Sequence, residues 1–118
     1  MNSTHDAFPL TVFMLVKTQP EWLGMSPDER FGHLKTVFQP IIDAHRESIR
    51  FRFFDVEFYA TRVTDVWMWE ARDHHAYELL VEAMRETPIW DRWFSIVEIL
   101  PGVENAYASN YGQAPLAA

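Results

Sequence analysis

Cysteine is missing from this 118-residue chain altogether. That one absence removes disulfides, thiol nucleophiles and thiolate metal sites together. Basic side chains are scarce too, 10 Lys and Arg against 17 Asp and Glu, for a net charge of −7. Such a balance argues against a nucleic-acid or anionic-membrane surface, which would need a basic patch. No apolar run reaches the roughly 18 residues that would span a bilayer. The amino terminus lacks a basic start followed by an apolar stretch, so no export signal is expected. There is no Gly-rich phosphate loop, no Gly-x-Ser-x-Gly elbow, no His-Glu-x-x-His pair, no internal repeat and no low-complexity tract. The expectation is a cytoplasmic protein with no metal and no cofactor, one domain over residues 1–118. Its core is placed at 9–105, with peripheral tails at 1–8 and 106–118.

What the chain has in abundance is aromatic surface: five Trp and nine Phe. It also has two strand-length segments, Leu10–Val16 and Phe94–Leu100, that are apolar on nearly every residue. A strand covered on one side alternates apolar with polar, so an almost unbroken apolar run predicts burial on both faces. Between them, Ser26-Pro27-Asp28-Glu29 opens a helix, with Ser26 and Glu29 forming a capping box and Pro27 suited to the first turn. Phe31, Leu34, Phe38, Ile41, Ile42 and His45 share one face of that helix, and Pro40 predicts a kink or break in it. A second strand starts near Ile49 and runs toward Tyr59, with a bulge after Phe54, and Thr61–Asp65 is the turn. Strand three covers 66–71. Asp73 caps a second helix to Glu86, with Ala76, Leu79, Leu80, Ala83 and Met84 inward, and Pro88 places its stop.

The order is β-α-β-β-α-β, the α+β ferredoxin-like split unit: a four-stranded antiparallel sheet with two helices on one face. The other face would be bare in a monomer. Filling both faces of strands one and four with apolar side chains exceeds the patch that monomers usually expose. A homodimer pairing sheet on sheet, the dimeric α+β barrel, answers this. The alternative is a monomer whose tail folds over the bare face through Tyr107, Tyr111 and Leu116.

The stretch Arg85-Glu86-Thr87-Pro88-Ile89-Trp90-Asp91, with Trp93-Phe94 and Val97 through Glu104, resembles the C-terminal signature of the darcynin-like proteins. Phe13, Leu15 to Thr18, Trp22-Leu23, Ser26 and Asp28 to Arg30 resemble its N-terminal half. Arg52 to Asp55, Arg62, Asp65 and Glu70 resemble its middle. The resemblance implies a bacterial, cytoplasmic protein without an assigned activity, and it transfers no catalytic residue. By analogy at fold level with the broader dimeric α+β barrel proteins, whose ligands commonly sit between sheet and helices within each subunit, that is where a site is expected.

Candidate chemistry rests on three groups. Among the histidines, His74-His75 are adjacent on a helix and point about 100° apart, which is poor metal spacing. His33 falls opposite the apolar stripe, and His5 lies in the lead-in. His45 falls on the buried stripe near a helix C-terminus; it is a packed core residue, a general base or a haem ligand. The charges of strands two and three form either an ion-pair ladder or a site. In the latter, Arg52 anchors a carboxylate or enolate and Asp55 or Glu57 acts as general base, with Tyr59 on the same face if the register allows. Trp22, Trp67, Trp69 and Trp90 are the candidate walls of a pocket for a flat ligand, core packing being the plainer account of such residues.

The functional expectation is a small cofactor-independent enzyme acting on an aromatic or enolisable metabolite: a cyclase, isomerase, decarboxylase or monooxygenase of secondary metabolism. Its candidate catalytic residues are Arg52, Asp55, Tyr59 and His45, and its partners a small-molecule ligand and a second copy of itself. The alternatives are a non-catalytic small-molecule-binding or interaction protein, and haem binding through His45.

Overall fold

Strand β1 (Leu10–Thr18) is the hinge of the architecture, because it pairs antiparallel with both strands that flank it. The computed structural model describes residues 7–116. After β1 come α1 (Pro20–Leu23), α2 (Pro27–His33), a π-helical turn (Leu34–Phe38) and α3 (Gln39–Ala44). They are followed by β2 (Ile49–Asp55), β3 (Asp65–Ala71), α4 (His74–Arg85), β4 (Phe94–Gly102) and α5 (Ala106–Asn110). The sheet order is β2-β3-β1-β4, with every neighbouring pair antiparallel. This is the ferredoxin-like arrangement expected from the sequence.

Alternation along β1 decides the core. Leu10, Val12, Met14 and Val16 are all buried on the helix side, opposite Ala71, Trp69, Trp67 and Asp65 of β3. Helices α3 and α4 pack over β2 and β3 on that side. Phe38 lies parallel to Trp69 at 6.3 Å and meets Trp67 edge-on at 5.1 Å, while Phe51 stacks on Trp69 at 4.3 Å. These offset and edge-on rings make a rigid aromatic floor. Helix α4 contributes Ala76, Leu80 and Met84; Leu79, expected inward, is about half exposed.

The local signals act much as the residues dictate. Ser26 Oγ accepts from the Glu29 N–H at 3.2 Å and Glu29 Oε1 accepts from the Ser26 N–H at 3.1 Å, completing the capping box. Asp73 Oδ1 accepts from the Ala76 N–H at 2.8 Å. Pro40 does not break its helix. The chain takes a π turn just before it, with the Gln39 N–H donating to the Leu34 carbonyl. Strand β2 stops at Asp55 rather than Tyr59, and its pairing with β3 is regular throughout. The bulge lies instead between β1 and β4, where the register slips between Leu15 and Val16 and leaves Val97 as the extra residue.

The opposite face of the sheet carries Phe13, Leu15, Phe54, Val66, Met68 and Leu100, with Phe13, Phe54 and Leu100 each at least 40% exposed. Among the described residues the tail leaves it open, since Tyr107, Tyr111 and Leu116 are themselves mostly exposed. Among the described residues no helix is long and apolar enough to cross a membrane.

Leu80 is fully buried between α4 and the sheet. Leu80→Ala should lower the free energy of unfolding by about 2–5 kcal/mol in urea denaturation, from lost transfer energy and the void it leaves.

Candidate functional site

The register of the β2–β3 hairpin sets two carboxyl groups face to face. Asp55, the last residue of β2, is the direct partner of Asp65, the first of β3. Phe51, Phe53 and Asp55 lie in the phase of β2 that faces the helices, as do Trp67, Trp69 and Asp65 in β3. The connecting loop closes on itself: the Val56 N–H donates to the Thr64 carbonyl and the Tyr59 and Ala60 N–H groups donate to the Val56 carbonyl. Glu57 joins the pair there. Carboxylate oxygens of Asp55, Glu57 and Asp65 all lie within 4.8 Å of one another. Like charges directly across a hairpin destabilise it, so stability alone gives no reason for this arrangement.

Asp65 is the buried member, 4% exposed. Burial pushes its carboxyl up to about 6, the nearby Glu57 and Asp55 charges add to the rise, and the Thr64 hydroxyl opposes it. Thr64 Oγ1 accepts from the Thr18 N–H at 2.9 Å and has one proton for two acceptors, Asp65 Oδ2 at 3.0 Å and the Val16 carbonyl at 3.3 Å. When Asp65 is ionised the hydroxyl donates to it. When Asp65 is protonated, Asp65 can donate to the hydroxyl, whose own proton turns to Val16.

These groups help line a cavity of about 740 Å³ between the sheet and the α1–α3 side of the molecule. Trp22, Leu34, Phe38, Ile42, Phe51 and Phe94 form apolar wall; Leu23, Phe31 and Phe53 are exposed at its rim. Lys17, Thr18, Arg30, Gln39 and Thr64 add polar lining. Lys17 Nζ donates to the Thr61 carbonyl at 2.6 Å, tying β1 to the carboxylate loop. Trp22 is held by Trp93 at 5.3 Å and Phe94 at 4.9 Å, while Arg92 grips both Glu21 oxygens at 2.9–3.0 Å. That guanidinium holds the Glu21 carboxyl below its ordinary value.

Of the residues proposed from sequence, Asp55, Glu57 and Trp22 reach the cavity. Arg52 stands on the opposite face of the sheet, its guanidinium 5.2 Å over the Phe54 ring. Tyr59 is 94% exposed in the loop. His45 is half-buried at the end of α3, its Nδ1 2.8 Å from the Ile41 carbonyl. Trp67 and Trp69 lie fully buried as part of the aromatic floor and outside the cavity lining, and Trp90 is half-buried beside β4. His33 packs its ring 4.5 Å from Trp93, and His74 and His75 are exposed; His5 lies outside the described residues. Sequence reasoning counts Asp65 among the strand charges only as an ion-pair partner for Arg52 or Arg62, and it does not single out Thr64 or Arg30. Asp65 carries a signal that could have found it: it is in period-two phase with Trp67 and Trp69.

The chemistry open to this arrangement is proton transfer by a poised carboxyl, or coordination of a hard cation by the three oxygens. The fold defines the class: an α+β protein of the ferredoxin-like type. The chain belongs to the darcynin family, whose model, described as "Darcynin, domain of unknown function", matches residues 2–118. It is similar to a darcynin homologue of Granulibacter bethesdensis, 68% identical over 104 residues, 88% of this chain and 84% of that one. In fold it is similar to a solved heme-binding protein from Thermus thermophilus, with a TM-score of 0.74 at 12% identity over 90% of this chain. It is also similar to a dimeric chlorite dismutase of Nitrobacter winogradskyi, with a TM-score of 0.65 at 16% identity over 80% of this chain. It spans only 45% and 56% of those two chains.

The raised Asp65 value has a consequence for stability. Its ordinary value is 3.8, and in the folded protein it is about 6. Below about pH 4 both states are protonated and nothing is lost. As pH rises toward about 6 the unfolded chain gives up this proton while the folded chain keeps it, so stability falls, by about 3 kcal/mol once both are ionised. Asp65→Asn should therefore stabilise the fold at pH 7.5 by about 2–3 kcal/mol and change little at pH 4, read by urea denaturation at both values.

Proposed function

We propose that the cavity is the active site of a small cofactor-independent enzyme that moves a proton on an aromatic or enolisable metabolite. The observation that carries this reading is Asp65: buried, opposed by two other carboxylates, and poised near neutrality in the lining of an aromatic cavity. A general base works best when its value lies near the operating pH, and burial among like charges is a physical route to it. The substrate would lie flat against Phe38 and Phe51, with Trp22 and Phe94 closing over it. Ionised Asp65 removes the proton next to a carbonyl; the C–H pair moves into the carbonyl as an enolate, and Asp65 now carries the proton. Thr64 donates to Asp65 before transfer and swings to Val16 after it, so neither form of the acid loses its hydrogen bond. Returning the proton to a different carbon completes an isomerisation; expelling carbon dioxide or closing a ring are variants from the same enolate. Secondary metabolism is the natural setting for such substrates.

Haem is the other chemistry that the solved neighbours' names suggest. The residues at hand do not fit it: among the described residues the cavity lining holds no His, Cys, Tyr or Met to serve as axial ligand, and three carboxylates would face the propionates. His45 turns its Nδ1 to the Ile41 carbonyl and lies outside the lining.

The test is solvent exchange. With β-tetralone in deuterium oxide, proton NMR should show enzyme-accelerated exchange next to the carbonyl, rising through a pH limb near 6 and unaffected by EDTA. Asp65→Asn should slow it about 100-fold or more. Exchange at the wild-type rate in that variant would end the reading.

The same reading takes the working form to be a homodimer joined through the open sheet face. Support comes from the exposed Phe13, Phe54 and Leu100 on that face and from a tail that leaves them uncovered. Sedimentation equilibrium should return twice the 13.9 kDa chain mass. Phe13→Asp with Leu100→Asp, register partners on that face, should give monomers.

A further inference from the structure

Arg30 is set apart from most other arginines of the fold. Arg46, Arg62 and Arg92 each meet a carboxylate, and Arg50 and Arg52 each lie over an aromatic ring. Arg30 is half-buried in the cavity wall, and its Nε is shielded from solvent without any hydrogen-bond partner. Among the described residues its side chain makes no ion pair and no hydrogen bond. Buried donors are nearly always satisfied, and an unmet guanidinium N–H is among the costlier exceptions. Its backbone is fixed by the capped start of α2, with the Arg30 N–H donating to the Ser26 carbonyl at 3.0 Å. The side chain is therefore delivered to the cavity by a well-anchored turn. The three carboxylates that share the cavity leave it unpaired, because they gather on the β2–β3 hairpin.

We infer that Arg30 is the anchor for the anionic end of the ligand, and that the ligand class is a planar, largely apolar organic carboxylate. This deepens the proton-transfer reading of the cavity and rests on it. A guanidinium fork matches a carboxylate in two parallel hydrogen bonds, which fixes direction as well as position. The aromatic walls take the ring system. Asp55, Glu57 and Asp65 repel an anion that enters the wrong way round, so the reacting carbon is left facing Asp65. A ligand amine would choose the carboxylates and leave Arg30 unmet, and that is the opposite outcome of the test.

Isothermal titration at pH 7.5 with naphthoate, naphthylmethanol and naphthylmethylammonium separates the cases. Naphthoate should bind at least tenfold more tightly than the alcohol. Arg30→Gln should bring naphthoate down to the alcohol's affinity, and Arg30→Lys should restore part of the difference. The alcohol should bind Arg30→Gln as it binds the wild type, which reports that the cavity is intact. Asp65→Asn should leave naphthoate bound as tightly or more so. Preference for the ammonium probe, indifference of naphthoate to Arg30→Gln, or no naphthoate binding at millimolar concentration would each overturn the assignment. Because this readout is binding alone, it fails separately from the exchange assay: naphthoate held by Arg30 without β-tetralone exchange removes the base and keeps the anchor.

Discussion

The antiparallel register of β2 against β3 is the constraint from which the rest follows. With Asp55 opposite Asp65, every odd-numbered residue of both strands faces the helices, and every even-numbered one faces away. A slip of one residue would pair odd with even and turn one strand over relative to the other. It would bury Arg50 and Arg52 beside the Trp side chains, or else expose Trp67 and Trp69. The aromatic residues therefore hold the register, and the register holds the carboxylates. Two Trp side chains with no exposed surface outweigh the repulsion between a few acids at the hairpin's end.

The cavity exists because the cover over this sheet is uneven. Helix α4 and the Phe38 segment seal the middle of β2 and β3, but the first helical body begins with exposed Pro27, Asp28 and Glu29 and reaches its first fully buried side chain at Phe38. The π turn at 34–38 re-phases the helix just before Pro40, so that Phe38 meets the aromatic floor while Phe31 is left at the rim. On the other side, α1 is only four residues long and owes its place to packing and to the Arg92 clamp rather than to helix propensity. A short, clamped segment carrying one buried Trp makes a wall of modest stability beside a rigid floor.

Much of the fold is legible in the sequence because its signals are local and agree with one another. The capping box at Ser26, the cap at Asp73 and the doubly apolar β1 each name their own structure, and the order of elements follows. The site is less legible because it depends on phase across a loop without a turn signature. Residues 56–64 contain neither Gly nor Pro, so the sequence carries β2 on to Tyr59 and blurs its phase after Phe54. That blur favours Arg52 over Asp65. Counting back from Trp67 and Trp69 puts Asp65 inside. Arg30 has no such signal, since a lone Arg on a first helical turn reads as solvated. His45 does fall on the half-buried stripe of its helix, but its carbonyl contact is invisible in a sequence.

Loop 56–64, which carries Glu57, is also tied to the far side of the sheet. Arg62 reaches Glu98 of β4 at 3.3 Å, and Glu98 pairs with Leu15 in the row that contains Phe13 and Leu100. As it stands this ion pair is largely exposed, and an exposed pair contributes little. Its value changes with its surroundings: a partner seated on the apolar face would remove water from it, and a shielded, well-formed pair resists opening far more strongly. The two faces of the sheet are thus connected through one loop, whose far anchor is Lys17 on the Thr61 carbonyl. The segment that brings Glu57 toward Asp65 is therefore fixed at two points outside the cavity, Arg62 on Glu98 and Lys17 on the Thr61 carbonyl, so the crowding of the three carboxylates follows from how the loop is tied down.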